Sequence, residues 1–216
     1  MRKIVIILML AASAGAMAQG RFCYSFEDYQ AGRWTELQQL RPEAHSKSRQ
    51  LWLGGNDYSF STGSKATDKV LKKEAFAVEY HDTLYVNLRT LRYERHRFGD
   101  GYAQGLPYDG DKIMFVTYLI GKDVSRNLFV GGLILGVIGE AIAGADALDD
   151  RVCYLIDNGG NGKKIDIKLI GDRLIREMLA EDNIDEYQRY MSVHDIKERQ
   201  SAAHVFPLLK EWGLVK

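Results

Sequence analysis

The chain reads as an α+β protein: antiparallel β hairpins, a glycine-rich apolar segment between strands, then a helical part over about residues 171–216. Three observations carry that reading. Apolar residues alternate on both sides of His81-Asp82, and again on both sides of Asn158-Gly159-Gly160-Asn161-Gly162. After Gly171 the spacing changes to the three-and-four rhythm of helices. Strands first and helices last is the order of an α+β fold, not of repeating β-α units.

The opening residues have the three parts of a secretory signal: Arg2 and Lys3, the apolar run from Ile4, then Ala16-Met17-Ala18 as a small-x-small cleavage site. Cleavage is expected before Gln19, leaving residues 19–216 as one domain, periplasmic or secreted. The apolar run falls short of the roughly 20 residues a spanning anchor needs. Ser25, followed by Glu27 and Asp28, starts a short helix that Gly32 limits. Residues 51–92 read as β: Leu51-Trp52-Leu53, Tyr58-Ser59-Phe60, then residues 75–80 turning at His81-Asp82 into residues 83–88. Phe76, Val78 and Tyr80 fall on one face of that hairpin, as do Leu84, Val86 and Leu88. Residues 98–111 are rich in glycine and carry Pro107, so a loop is expected there, followed by a strand over 112–120.

A second hairpin spans 151–157 and 164–169 around the Asn-Gly turn, where glycine supplies positive φ at no steric cost. Asp172 can cap a helix carrying Leu174, Ile175, Met178 and Leu179. Ile184, Tyr187 and Met191 begin another. A third is expected from Val193 toward Trp212, with Pro207 kinking it or starting a new one.

The arrangement resembles a family of uncharacterised exported proteins of Gram-negative gut bacteria. The residues that carry the likeness are a leader ending Ala18-Gln19, the run 72–78 leading to Asp82-Thr83-Leu84-Tyr85-Val86-Asn87, the glycine-rich 131–145, and Tyr154-Leu155-Ile156-Asp157 before a glycine turn and a helical end with Tyr187 and Tyr190. The resemblance implies a fold group and a compartment, and it transfers no active residue.

Lys and Arg number 29 against 29 Asp and Glu, and loss of the leader removes two bases and no acid. Nothing in that balance calls for a nucleic acid partner, which would ask for a basic domain. Cys23 and Cys153 are the only cysteines; in an oxidising compartment they are disulfide candidates, and two buried thiols that never meet are the alternative.

No cofactor and no metal are expected. None of His45, His81, His96, His194 or His204 has the i, i+4 partner around a Glu that a zinc helix needs. No Gly-x-Ser-x-Gly elbow is present. Asp157 to Gly162 imitates the start of a calcium loop, yet Lys168 stands where a bidentate Glu is required. His194-Asp195 stands alone. Arg89, Arg92, Arg95 and Arg97 form the most basic stretch, suited to a sulfate, phosphate or carboxylate, with a solvated strand end as the plain alternative. Trp34, Trp52, Tyr102 and Tyr108 could stack on sugar rings.

Residues 128–144 are the least ordinary. On a helix Gly132, Gly136 and Gly144 would share one bare face with Glu140, a packing or interaction surface that allows oligomers or shallow membrane contact but not spanning. The function expected is that of a non-enzymatic exported module binding an envelope protein or surface ligand. The alternatives are a hydrolase on envelope or dietary polymers, and a structural subunit assembling through 128–144. His96 or His194 beside a carboxylate in a pocket would favour the enzyme.

Overall fold

The protein is seen in a computed structural model that describes residues 20–46, 49, 56–109, 111–120, 151–159, 165–179 and 183–215. The expected leader of residues 1–18, the strand expected at Leu51-Trp52-Leu53, and Gly132, Gly136 and Gly144 lie outside the described residues. Within them the chain is a mixed α+β protein built on one large antiparallel sheet.

The strands are β1 (Gly20–Cys23), β2 (Thr35–Leu37), β3 (Arg41–Ala44), β4 (Tyr58–Ser61), β5 (Ala77–Tyr80), β6 (Thr83–Asn87), β9 (Tyr102–Tyr108), β10 (Lys112–Tyr118), β11 (Arg151–Asn158) and β12 (Ile165–Leu169), with β7 (Arg92–Tyr93) and β8 (His96–Arg97) forming a separate small hairpin. Their order across the sheet is β12-β11-β10-β9-β6-β5-β1-β2, and the β3-β4 hairpin joins through β4 and β9. The helices are α1 (Phe26–Gln30), α2 (Lys65–Lys73), α3 (Asp172–Leu179), α4 (Ile184–Met191), α5 (Ile196–Arg199) and α6 (Ala202–Glu211).

Both faces of the sheet are buried. One face carries Cys23, Ala77, Leu84, Val86, Ala103, Ile113, Phe115, Val152, Tyr154 and Ile156, roofed by Phe26, Leu88, Leu91 and Phe98. The other face is divided: Met114, Cys153 and Leu155 pack under the C-terminal helices, while Phe22, Val78 and Tyr102 pack under α2 and β4. Two-sided burial explains why β11 is a continuous apolar run instead of a simple alternation.

The hairpin expected at His81-Asp82 is present, with both turn residues at positive φ (47° and 59°). Its two-residue turn pairs Val78 with Tyr85 and Ala77 with Val86, so the Val78 and Val86 sets lie on opposite faces. Ser25 caps α1, its side chain accepting from the Asp28 amide at 3.0 Å.

Three expectations are corrected. The supposed loop 98–111 contains β9, a central strand. Gly105 is there because a Cβ would stand 2.9 Å from Val86 and 3.1 Å from Ile113, and Pro107 is tolerated because β6 pairs only with residues 102–105. The β region is also interrupted by α2, whose Ser64 cap accepts from the Thr67 amide. Near the C-terminus the break falls between α5 and α6, at Gln200-Ser201, and Pro207 lies inside α6.

The cysteine pairing is not formed: both thiols are free and buried. Cys23 and Cys153 lie five strand positions apart, roughly 24 Å at about 4.8 Å per strand, against the roughly 7 Å limit between bridged Cα atoms. They also face opposite sides of the sheet. Burial pushes each thiol up to about 12, so neither is a ready nucleophile. Native protein should therefore resist iodoacetamide at both positions, and both should alkylate after unfolding without reductant; mass analysis showing a blocked pair would contradict the structure.

Candidate functional site

A buried asparagine builds the most chemically distinctive surface. Asn87 ends β6 and is 1% exposed. Its carboxamide donates to the carbonyl of Leu71 (3.1 Å), which the end of α2 leaves without a helical partner, and to that of Ala75 (2.8 Å), two residues past the helix. Its side-chain oxygen accepts from the Arg89 amide at 3.2 Å, opening the short 3-10 turn Leu88–Thr90, and its own carbonyl accepts from the Thr90 hydroxyl at 3.0 Å. One side chain thus holds the end of α2 against the start of the arginine-rich stretch.

The result is an open cleft of about 350 Å³ lined by Lys73, Arg89, Thr90, Arg92 and Arg97. Lys73 is the last residue of α2, Arg89 and Thr90 lie in the 3-10 turn, and Arg92 and Arg97 come from β7 and β8. Arg89 is bound to Asp100, one guanidinium nitrogen standing 2.7 Å from both carboxylate oxygens. Lys73, Arg92 and Arg97 form no ion pair with another described residue. Arg92 and Arg97 are direct cross-strand partners, which sets two like charges opposite each other at a spacing of about 5 Å between Cβ atoms.

Of the four arginines singled out in the sequence, Arg89, Arg92 and Arg97 line this cleft. Arg95 does not; it sits in the β7-β8 turn at φ 73°, after Glu94 at φ 47°. Lys73 was missed, because it lies across a helix boundary that the sequence reading did not recognise. Tyr102 and Tyr108 are buried, which removes them as sugar-stacking surfaces, and Arg21 stacks over Trp34 at 4.9 Å.

A family model described as a family of unknown function (DUF6563) matches residues 21–216. The chain belongs to that family. No curated protein and no solved structure gives a significant match. Within this DUF6563 chain, among the described residues, no group of three or more metal-ligating side chains is present and no helix is long and apolar enough to cross a membrane.

Two other polar groups have the look of chemistry. His45 Nε2 stands 3.0 Å from Ser59 Oγ, and its Nδ1 lies 2.6 Å from the Asn56 carbonyl, where it must donate. Ser59 Oγ also stands 3.2 Å from a Glu43 carboxylate oxygen, so its one hydrogen is shared between two acceptors unless the ring donates at both nitrogens. The Glu43–Ser59 contact ties β3 to β4.

Arg199, 5% exposed, binds Asp172 through two nitrogens (2.7 and 3.1 Å) and the Val193 carbonyl at 2.7 Å, while the Tyr190 hydroxyl donates to Asp172 at 2.8 Å. This network locks α3, α4 and α5 together. His96 and His194 are exposed, and neither lines the cleft.

The Arg199 guanidinium holds the Asp172 carboxyl below its ordinary range, against an opposing effect of burial. A depressed carboxyl contributes stability above the unfolded value, about 4, and loses it as pH falls through the folded value. Acid melts of Asp172→Asn should therefore show a shallower loss of Tm below about pH 4 than the parent, from a lower starting stability. Asn87→Ala should cost about 2 kcal/mol in urea unfolding by stranding buried carbonyls. An unchanged midpoint would remove Asn87 from its clamping role.

Proposed function

We propose that this chain is an exported, non-enzymatic binding module that takes an anionic ligand in the cleft of Lys73, Arg89, Arg92 and Arg97, the ligand belonging to another envelope component or to a surface. One observation carries the reading: Arg92 and Arg97 oppose each other across β7 and β8, with two further cations beside them and, among the described residues, a single carboxylate, Asp100, in ion-pair contact with a lining side chain. Directly opposed like charges weaken a strand pair. Guanidinium groups are also the side chains best shaped to grip a carboxylate, sulfate or phosphate through paired hydrogen bonds. The leader of residues 1–18, with its charged, apolar and small-residue parts, supports export.

The reading predicts opposite signs for stability and binding. Arg97→Ala should raise the unfolding free energy of the free protein by a few tenths of a kcal/mol, because it removes the repulsion. The same change should reduce the increase in Tm that sulfate gives the parent beyond sodium chloride of equal ionic strength, leaving only sulfate's general stabilising effect. Equal sulfate responses in parent and variant would refute the binding reading, and the variant's retained stability shows that loss of binding is not loss of fold.

A further inference from the structure

We infer that the group this cleft takes is a phosphomonoester in its dianionic form, carried on a larger molecule; the inference rests on the anion-binding reading above. The charged side chains that line the cleft are Lys73, Arg89, Arg92 and Arg97, of which Arg89 is paired with Asp100; Glu74 follows Lys73 in the chain, and Glu94 and Arg95 form the turn between Arg92 and Arg97. A sulfate ester or a carboxylate brings one negative charge and leaves most of the repulsion in place. A phosphomonoester brings about 1.5 to 2 negative charges near neutral pH, together with three strong acceptor oxygens.

The arrangement of donors matches that number of oxygens. Arg92 and Arg97 approach from the two strands of the small hairpin, and Lys73 approaches from the end of α2. Arg89 is held against Asp100 and so adds charge with part of its donor capacity already used. Two guanidinium forks and an ammonium suit a tetrahedral group with three terminal oxygens better than a planar carboxylate with two.

The volume of about 350 Å³ leaves room for an ester as well as for the free ion. The cleft is open to solvent, which leaves the body of the ligand free to extend away from the protein.

The experiment uses the mature chain and three probes: phenyl phosphate, phenyl sulfate and inorganic phosphate, each titrated by calorimetry at about pH 8 and about pH 5, on either side of the second ionisation of a phosphomonoester near 6. Phenyl phosphate should bind about tenfold more tightly than phenyl sulfate at the higher pH, and the gap should close at the lower pH as the ester gains a proton. Any histidine that gains charge over this interval acts on both esters alike, so the ratio of affinities reports the ligand's own proton. Arg97→Lys, which keeps the charge and loses the fork, should lower the affinity for both esters while leaving their ratio, which reports charge, nearly as before.

Equal, pH-independent affinities for the two esters would overturn the phosphomonoester and leave the anion-binding reading standing. Inorganic phosphate binding as tightly as phenyl phosphate would assign the cleft to the free ion and overturn the ester. Binding of none of the three would overturn both readings together.

Discussion

The carboxamide of Asn87 stands where a helix and a strand both end, and each of those ends has polar groups that its own element cannot satisfy. The last turn of α2 and the residues just past it leave buried carbonyls without helical partners. Leu71 in that turn and Ala75 two residues beyond it accept from Asn87, and the Tyr102 hydroxyl donates to Leu71 as well. The Asn87 backbone is engaged too, its amide donating to the Phe76 carbonyl at 2.8 Å. Every polar group of the residue is therefore used, which is the condition under which a buried amide is tolerated. The consequence reaches the surface: Lys73 and Arg89, distant in sequence, acquire a fixed relation because the same side chain holds the segments that carry them.

The sheet supplies the second constraint. Pairing places Cys23, Ala77, Val86 and Ala103 on the same face across four neighbouring strands, continuing through Phe115 and Tyr154. That face is roofed by short pieces instead of long helices: α1, the 3-10 turn and the β7-β8 hairpin. The hairpin has little to recommend it in isolation. Its strands are two residues each, its turn places Glu94 and Arg95 at positive φ where Asn-Gly would be favoured, and its outer pair is two arginines. Packing holds it in place. Tyr93 meets the ring of Tyr154 edge-on at 5.3 Å, and Tyr154 is fully buried beneath it. Core burial thus fixes a surface feature that its own residues would not stabilise.

These facts also explain which parts of the protein were legible in the sequence. The hairpins at His81-Asp82 and after Asp157, and helices α3 and α4, were readable because each is governed by neighbours within a few positions. β9 was not, because Gly105 and Pro107 look like loop residues until the strands on either side are known. Gly105 answers to Val86 and Ile113, and neither is near it in the chain. α2 was overlooked although Ser64 and Asp68 mark its start, since short strands on both sides suggested β throughout. The cleft followed the same division: three of its arginines were visible as a local run, whereas Lys73 and the clamp that places it depend on contacts between residues 12 to 16 positions apart. The cysteines failed for a related reason. Compartment and count suggested a pair, but the distance between β1 and β11 is decided by sheet order.

At several other described positions arginines meet carboxylates. Arg21 sits directly opposite Glu79 across β1 and β5 and binds both of its oxygens, Arg151 does the same with Asp57, and Arg199 with Asp172. The β1-β5 pair and the β7-β8 pair therefore place an arginine in the same kind of cross-strand position with opposite results, one facing an acid and the other facing a base. Exposed charges repel only weakly through water at ordinary salt, so the second arrangement is cheap enough to persist, at a few tenths of a kcal/mol. An anion bound there, as proposed, would meet two guanidinium forks and an ammonium that no described carboxylate has already taken. Those side chains sit on a hairpin held by a packed core and on a helix end held by an asparagine clamp, so binding would require little further ordering. A small cost without ligand and a larger gain with one is the asymmetry on which the proposal rests.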